Sequence, residues 1–201
     1  ATAEKLTEVI THNLEALEKM VDYNIANGIS LYRISSDLIP FGSSPVNMLD
    51  WPETHKEVFD RIGTKIRRGS MRVSFHPGQY TVLNSPDEDV VARAILDLAY
   101  HDKMLECLGV DNKNKIVLHV GGIYGDKEAA LDRFAENFQR LPESVQNRLI
   151  IENDDRLYNS EEVLELTNRL QIPSVFDNLH HAINPPPVVP KILWKLPKIT
   201  R

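Results

Sequence analysis

The sequence predicts an α/β fold built from repeated helix–strand units, and three observations support this prediction. Segments with apolar residues at helical spacing alternate along the chain with short segments that are largely apolar. Turn and helix-stop residues, such as Gly28 and Gly69, separate these segments. Five such strands, each preceded by a helix, are typical of a parallel sheet covered by helices.

The individual elements follow from local signals. The first helix carries Leu6, Ile10, Leu14 and Val21 at helical spacing, and the third begins after the Ser85–Pro86 cap signal. The predicted helices are residues 3–27, 50 or 51 to 68, 87–108, 127–139 and about 160–170. The predicted strands are residues 30–35, 71–75, 115–120, 148–153 and 173–177.

This alternation favours a TIM-type (β/α)8 barrel over other α/β folds. Because the chain opens on a helix and ends in a proline-rich segment, we expect a barrel that lacks its first strand and some of its last. Residues 1–201 are then one partial catalytic domain. The alternative is a doubly wound open sheet, but the sequence contains no G-x-G-x-x-G or Walker-type loop of the kind that marks such sheets.

Composition excludes several classes of protein. A single cysteine, Cys107, rules out an internal disulfide framework and a cysteine-rich zinc module. Neither a membrane-spanning apolar stretch nor a signal-peptide pattern is present, so we expect a cytoplasmic protein, associated with the nucleoid if the source is prokaryotic. The net charge of -6 argues mildly against a protein that coats nucleic acid non-specifically.

Polar side chains stand at the carboxyl ends of all five predicted strands. In a parallel barrel these ends meet at one mouth, where active sites are assembled. A single histidine at a strand end is more often structural, but several successive ends with imidazole or carboxylate groups indicate a shared site for zinc, manganese or iron. The candidate ligands are His76, His119, Glu152, Asp177 and His180, with Arg33 and Ser35 at the end of the first strand.

Such a donor set suits phosphodiester hydrolysis. Bound divalent ions can deprotonate water and neutralise charge on the attacking and leaving oxygens. Glu152 has two carboxylate oxygens and can bridge two ions, so we assign it with His76 and His119 to the catalytic set. His181 is either a further ligand or a supporting residue.

Five segments of the chain resemble the UV damage endonuclease family, a relative of endonuclease IV within the xylose-isomerase-like barrels. The most specific segment is HPGQY, and HVGG, IEND and D-x-x-H follow it in the order typical of the family. The matching segments are residues 31–43, 72–86, 117–127, 149–155 and 176–181.

The resemblance implies a cluster of two to three divalent ions, with manganese favoured and zinc or another metal as the alternative. It implies that His76, His119, Glu152, Asp177 and His180 are the ligands. It also implies a role for Gln79 and Tyr80, which would probe the DNA duplex at the lesion. Under the same resemblance, Arg33, Ser35 and Lys198 would support the barrel mouth or contact phosphate.

The chain also departs from the family pattern. The first strand and the late His and Glu ligands are absent, and Ser44 stands where the family often has a histidine. Lys198 resembles a lysine that can be carboxylated in this family, but Thr200 replaces the histidine expected two residues later. We therefore expect that this chain is part of a longer protein.

The leading hypothesis from the sequence is a monomeric endonuclease that nicks double-stranded DNA immediately 5′ to a UV photoproduct. An abasic-site endonuclease is the first alternative. A metal-dependent sugar isomerase or epimerase is the second, although it would have no need of a probing loop. The third is a non-catalytic barrel fragment that binds damaged DNA or metal.

Overall fold

The structure of the protein is a computed structural model that describes residues 2–187. Its helices are α1 (Ala3–Ala26), α2 (Trp51–Thr54), α3 (Lys56–Arg68), α4 (Glu88–Cys107), α5 (Lys127–Phe138), α6 (Glu143–Arg148), α7 (Ser160–Leu170) and α8 (Asn178–Ile183). Its strands are β1 (Leu31–Ile34), β2 (Arg72–Phe75), β3 (Lys115–His119), β4 (Leu149–Glu152) and β5 (Ser174–Val175). Helices and strands alternate as the sequence predicted.

The five strands form one parallel sheet in the order β1-β2-β3-β4-β5. Neighbours in the sheet are thus neighbours in the sequence. A doubly wound sheet reverses its strand order at a switch point, whereas a barrel keeps sequential order. The observed order agrees with part of a (β/α)8 barrel and excludes the doubly wound alternative for the residues described.

The hydrophobic core lies between the sheet and its helices. Leu14 and Leu17 of α1 are fully buried, as are Phe75, Ile116 and Ile151 of the strands. Helix α1 packs against α3, and α7 packs on β4. The sheet is therefore held rigidly behind the carboxyl ends of its strands, which positions the side chains that follow them.

One predicted helix is interrupted. The segment from residue 50 or 51 to 68 forms two helices because His55 leaves helical geometry, with φ −115° and ψ 16°. Its ring turns inward, with Nδ1 3.2 Å from the carbonyl oxygen of Trp51 and Nε2 3.2 Å from Oγ1 of Thr11. A contact with α1, distant in the sequence, thus fixes the break.

Three further differences lie in the second half of the chain. Helices α6 and α8 are short and were not predicted. The predicted strand 173–177 is reduced to two residues, Ser174 and Val175, and among the residues described it pairs only with β4. Helix α8 follows at once, because Asp177 caps its first turn. Among residues 2–187, no helix is long and apolar enough to cross a membrane.

Candidate metal centre

Three potential ligand atoms converge at the carboxyl ends of β2, β3 and β4. His76 directly follows β2, and His119 and Glu152 are the last residues of β3 and β4. The register pairs His119 with Glu152 across the two strands. Nε2 of His76 lies 3.1 Å and Nε2 of His119 lies 3.4 Å from Oε2 of Glu152. One ligand atom from each residue lies within 4.8 Å of the others, which is the spacing of a shared cation site.

Backbone carbonyl groups set the orientation of the histidine rings. Nδ1 of His76 lies 3.1 Å from the carbonyl oxygen of the next residue, and Nδ1 of His119 lies 3.3 Å from that of Glu152. Nδ1 of His180 lies 2.9 Å from the carbonyl oxygen of Asn153. Because a carbonyl only accepts, a proton on each Nδ1 would satisfy these contacts and leave the Nε2 lone pair free for a cation. This is the form in which histidine binds a metal.

The electrostatics of the three residues also suit a cation. Burial alone would raise the pKa of Glu152, which is 5% exposed, but the contacts with His76 and His119 and the charge of Arg33 lower it overall. Burial lowers the pKa of His119, and the charge of His76 lowers it further. Nitrogen lone pairs that face a carboxylate oxygen repel it unless a proton or cation lies between them. The donor set therefore fits a divalent metal ion.

Asp177 and His180 lie beside this group of three. The His180 ring centroid is 5.6 Å from that of His119, and Nδ1 of His180 is 3.9 Å from Oδ2 of Asp177. Oδ1 of Asp177 accepts hydrogen bonds from the backbone N–H groups of Leu179 and His180 at 2.8 and 2.9 Å. The bond from the His180 amide is the main reason that the pKa of Asp177 is lowered. The two residues form a second cluster that adjoins the first through His119.

A cavity of about 620 Å³ opens over these residues. His76, His119 and His180 line it together with Gln79, which is exposed. Tyr80 is 67% exposed on the same loop. Three of the predicted ligands and Gln79 of the predicted probing pair thus line one cavity, and Tyr80 is the next residue of the same loop.

Three residues remain of those predicted for the site: Arg33, Ser35 and Lys198. Arg33 lies close enough for its charge to lower the pKa of Glu152. Ser35 accepts a hydrogen bond from the backbone of Asp37 at 3.4 Å, a contact within its own turn. Lys198 lies outside the described residues. The roles of these three in supporting the mouth or contacting phosphate remain predictions.

The structure shows three contacts near the site that the sequence did not predict, and one of them decides between the two roles considered for His181. The hydroxyl of Ser36 donates to the carbonyl oxygen of His76 at 2.8 Å and ties β1 to the first ligand. Nδ1 of His181 lies 2.9 Å from Oγ of Ser160, so His181 supports α8 against α7. Asn153, buried beyond β4, hydrogen-bonds to the backbone of Asp177. The sequence did contain one signal for Asn153, because it is a polar residue that directly follows an apolar strand.

The fold and the site define a class: parallel (β/α)-barrel proteins with a histidine and carboxylate donor set at the mouth. The family model described as UV-endonuclease UvdE matches residues 1–199. The chain therefore belongs to the UvdE family of UV endonucleases, as the resemblance implied. The UV DNA damage endonuclease of Clostridium perfringens (strain 13 / Type A) is 46% identical over 178 residues, which are 89% of this chain and 43% of that protein.

Solved structures confirm the predicted fold class. The crystal structure of SacUVDE superposes with a TM-score of 0.90 at 39% identity, covering 94% of this chain and 65% of that one. Endonuclease IV from Thermus thermophilus has a TM-score of 0.56 at 17% identity, covering 82% of this chain and 58% of that one, and shows only that the fold is shared. The chain spans about half the length of the curated relatives it matches.

Proposed function

We propose that the protein containing this chain is a metal-dependent endonuclease that nicks double-stranded DNA immediately 5′ to UV photoproducts. The observation that carries the proposal is the convergence of His76, His119 and Glu152 within 4.8 Å at the mouth of a barrel whose relatives are UV endonucleases. The product ends would be a 3′ hydroxyl and a 5′ phosphate. Hydrolysis adds a water oxygen to phosphorus, breaks the bond to the 3′ oxygen and leaves a proton on that oxygen.

In this proposal His76, His119, Glu152, Asp177 and His180 hold two to three divalent ions, with manganese favoured and zinc as the alternative. Such ions stabilise negative charge on phosphate oxygens and lower the pKa of water. The lowered pKa of Glu152 and the lowered pKa of His119 favour the metal-binding forms of these two residues. With its two carboxylate oxygens, Glu152 could serve as a ligand to two of the ions.

Gln79 and Tyr80 would recognise the lesion. Both are exposed on the loop that follows His76, so they can reach a duplex seated over the cavity. An aromatic ring and an amide can replace stacking and pairing that are lost when damaged bases leave the helix. A distorted lesion has less stacking to lose, and this difference would give selectivity without sequence readout. Arg33 would contribute positive charge for phosphate beside this loop.

The test uses the full-length protein and an end-labelled duplex that carries one cyclobutane dimer. We expect one nick immediately 5′ to the dimer with Mn²⁺, none with EDTA and none in the undamaged duplex. Glu152→Gln should abolish nicking, whereas Glu106→Gln, which removes an exposed carboxylate paired with Lys103, should nick normally. An intact photoproduct strand beside an active control enzyme would reject the proposal.

The same assay separates the alternatives. Preferential cutting of a duplex with an abasic site would identify an abasic-site endonuclease. Binding of the damaged duplex without cutting in any divalent metal would identify a non-catalytic binding protein. We expect the enzyme to act as a monomer in the cytoplasm, and the elution volume of the protein in size-exclusion chromatography tests the first of these expectations.

A further inference from the structure

Asn153 is the first residue after β4 and is 1% exposed. Its side-chain Oδ1 accepts a hydrogen bond from the backbone N–H of Asp177 at 2.9 Å. Its Nδ2 donates to the backbone carbonyl oxygen of the same residue at 3.0 Å. Only one orientation of the carboxamide satisfies both bonds, so the side chain is locked in place.

These two bonds extend the sheet beyond its backbone ladder. The last pair between β4 and β5 joins Glu152 with Val175, and no backbone pairing between these strands continues past it. The carboxamide has the same donor and acceptor as a peptide group, so it substitutes for a strand residue opposite Asp177. The chain is therefore fixed at Asp177, whose Oδ2 lies 3.9 Å from Nδ1 of His180, although β5 itself is only two residues long.

The backbone of Asn153 also fixes His180. Its carbonyl oxygen receives the hydrogen bond from Nδ1 of His180 at 2.9 Å, which fixes the orientation of that ring. The ring of His180 then lies 5.6 Å from that of His119, centroid to centroid. One residue thus orients both members of the second cluster, through its side chain for Asp177 and through its backbone for His180.

We propose that Asn153 is a positioning residue that holds Asp177 and His180 beside His119 and so completes a second cation-binding position. The inference rests on the proposed metal centre, because it concerns the arrangement of ligands within that centre. The first cation-binding position, formed by His76, His119 and Glu152, then depends only on strands β2, β3 and β4. Loss of the Asn153 side chain should weaken the second position and leave the first intact.

The test measures Mn²⁺ binding to the full-length protein without DNA, using electron paramagnetic resonance of free Mn²⁺ and calorimetry. Asn153→Ala removes both side-chain bonds, and Asn153→Asp turns the donor into an oxygen that faces the Asp177 carbonyl. We expect either change to weaken the second class of Mn²⁺ site by about 10- to 100-fold, as for other residues that orient ligands. The first class should stay within about twofold of wild type.

Asn137→Ala is the matched control. Asn137 is also buried and donates from Nδ2 to a backbone carbonyl, that of Leu83, at 2.8 Å, but it lies on α5. We expect a similar fall in thermal midpoint with both classes of Mn²⁺ site unchanged. His180→Asn should reproduce the binding pattern of Asn153→Ala, and the double variant should show no additional loss because both changes disable the same position.

Wild-type stoichiometry and affinity in both Asn153 variants would overturn the inference. So would an equal weakening of both classes, since that pattern indicates a general loss of structure. A wild-type protein with only one class of Mn²⁺ site would overturn it as well. Because DNA is absent, a protein that binds Mn²⁺ as expected but does not nick damaged DNA would refute the proposed function and leave the role of Asn153 standing.

Discussion

Glu18 links α1 to α3 through two basic side chains. Arg61 binds the Glu18 carboxylate in a bidentate pair, with both N···O distances at 2.8 Å, and Nζ of Lys65 lies 2.9 Å from Oε1. The hydrogen bonds from Arg61 and then Lys65 lower the pKa of Glu18 from 4.5 to about 2. Helix α1 packs against α3, so this contact contributes to the scaffold behind the site.

The lowered pKa sets both the size and the direction of the effect. A shift from 4.5 to about 2 is equivalent to about 3.4 kcal/mol at most. The Glu18 side chain is 16% exposed and that of Arg61 is 51% exposed, so solvent screening reduces the expected contribution to about 1 kcal/mol. Because the folded-state pKa is depressed, this stability is fully present above pH 4.5 and is lost as the pH falls through about 2.

Urea unfolding of the full-length protein between pH 7 and pH 3 measures this effect. We expect Glu18→Gln to lower the free energy of unfolding by about 1 kcal/mol at pH 7, with a difference from wild type that shrinks below about pH 4. The control is Glu8→Gln, which removes only an exposed pair with Lys5 on the same helix and should cost much less. A deficit that stays constant down to pH 3, or one equal to that of the control, would refute the reasoning.

Three further predictions concern close contacts in the scaffold and the probing loop. Gly63→Ala should lower stability by about 1–3 kcal/mol in thermal unfolding, because the added methyl group would overlap the backbone carbonyl oxygen that follows α4; an unchanged midpoint would contradict this. Thr81→Val should cost about 1–3 kcal/mol, since it removes the 2.6 Å hydrogen bond to the buried carboxylate of Asp97, while Thr81→Ser should retain most of the stability. Gly78→Ala should displace the Tyr80 ring, whose Cε1 lies 2.5 Å from the new Cβ position. We expect about tenfold weaker nicking of photoproduct DNA at unchanged Mn²⁺ affinity, and equal losses in both assays would show that the loop acts through the metal centre.

The sequence prediction and the structure agree most closely at the strand ends. His76, His119 and Glu152 were predicted to meet, and the structure brings their ligand atoms within 4.8 Å. Asp177 and His180 were expected in the same cluster, and they lie beside it rather than within that spacing. The difference arises because β5 is short and Asp177 immediately caps α8, which turns the chain away from the strand direction.

Two features of the structure that the sequence did not predict have a common cause. The break at His55 depends on a contact with Thr11, 44 residues away. The position of Asp177 depends on Asn153, which is 24 residues away. Neither contact leaves a periodic signal in the local sequence, because periodicity reports only which side of a single helix or strand is buried.

The sequence by itself determined the alternation of helices and strands, the fold class and the identity of the residues that follow each strand. It could do so because parallel strands joined by helices place all their carboxyl ends on one edge. Only the tertiary structure decided the register that pairs His119 with Glu152, the carbonyl groups that direct each ring nitrogen, and the role of Asn153. These features depend on distances between residues that lie far apart in the chain, and such distances are fixed only when the sheet and its helices pack together.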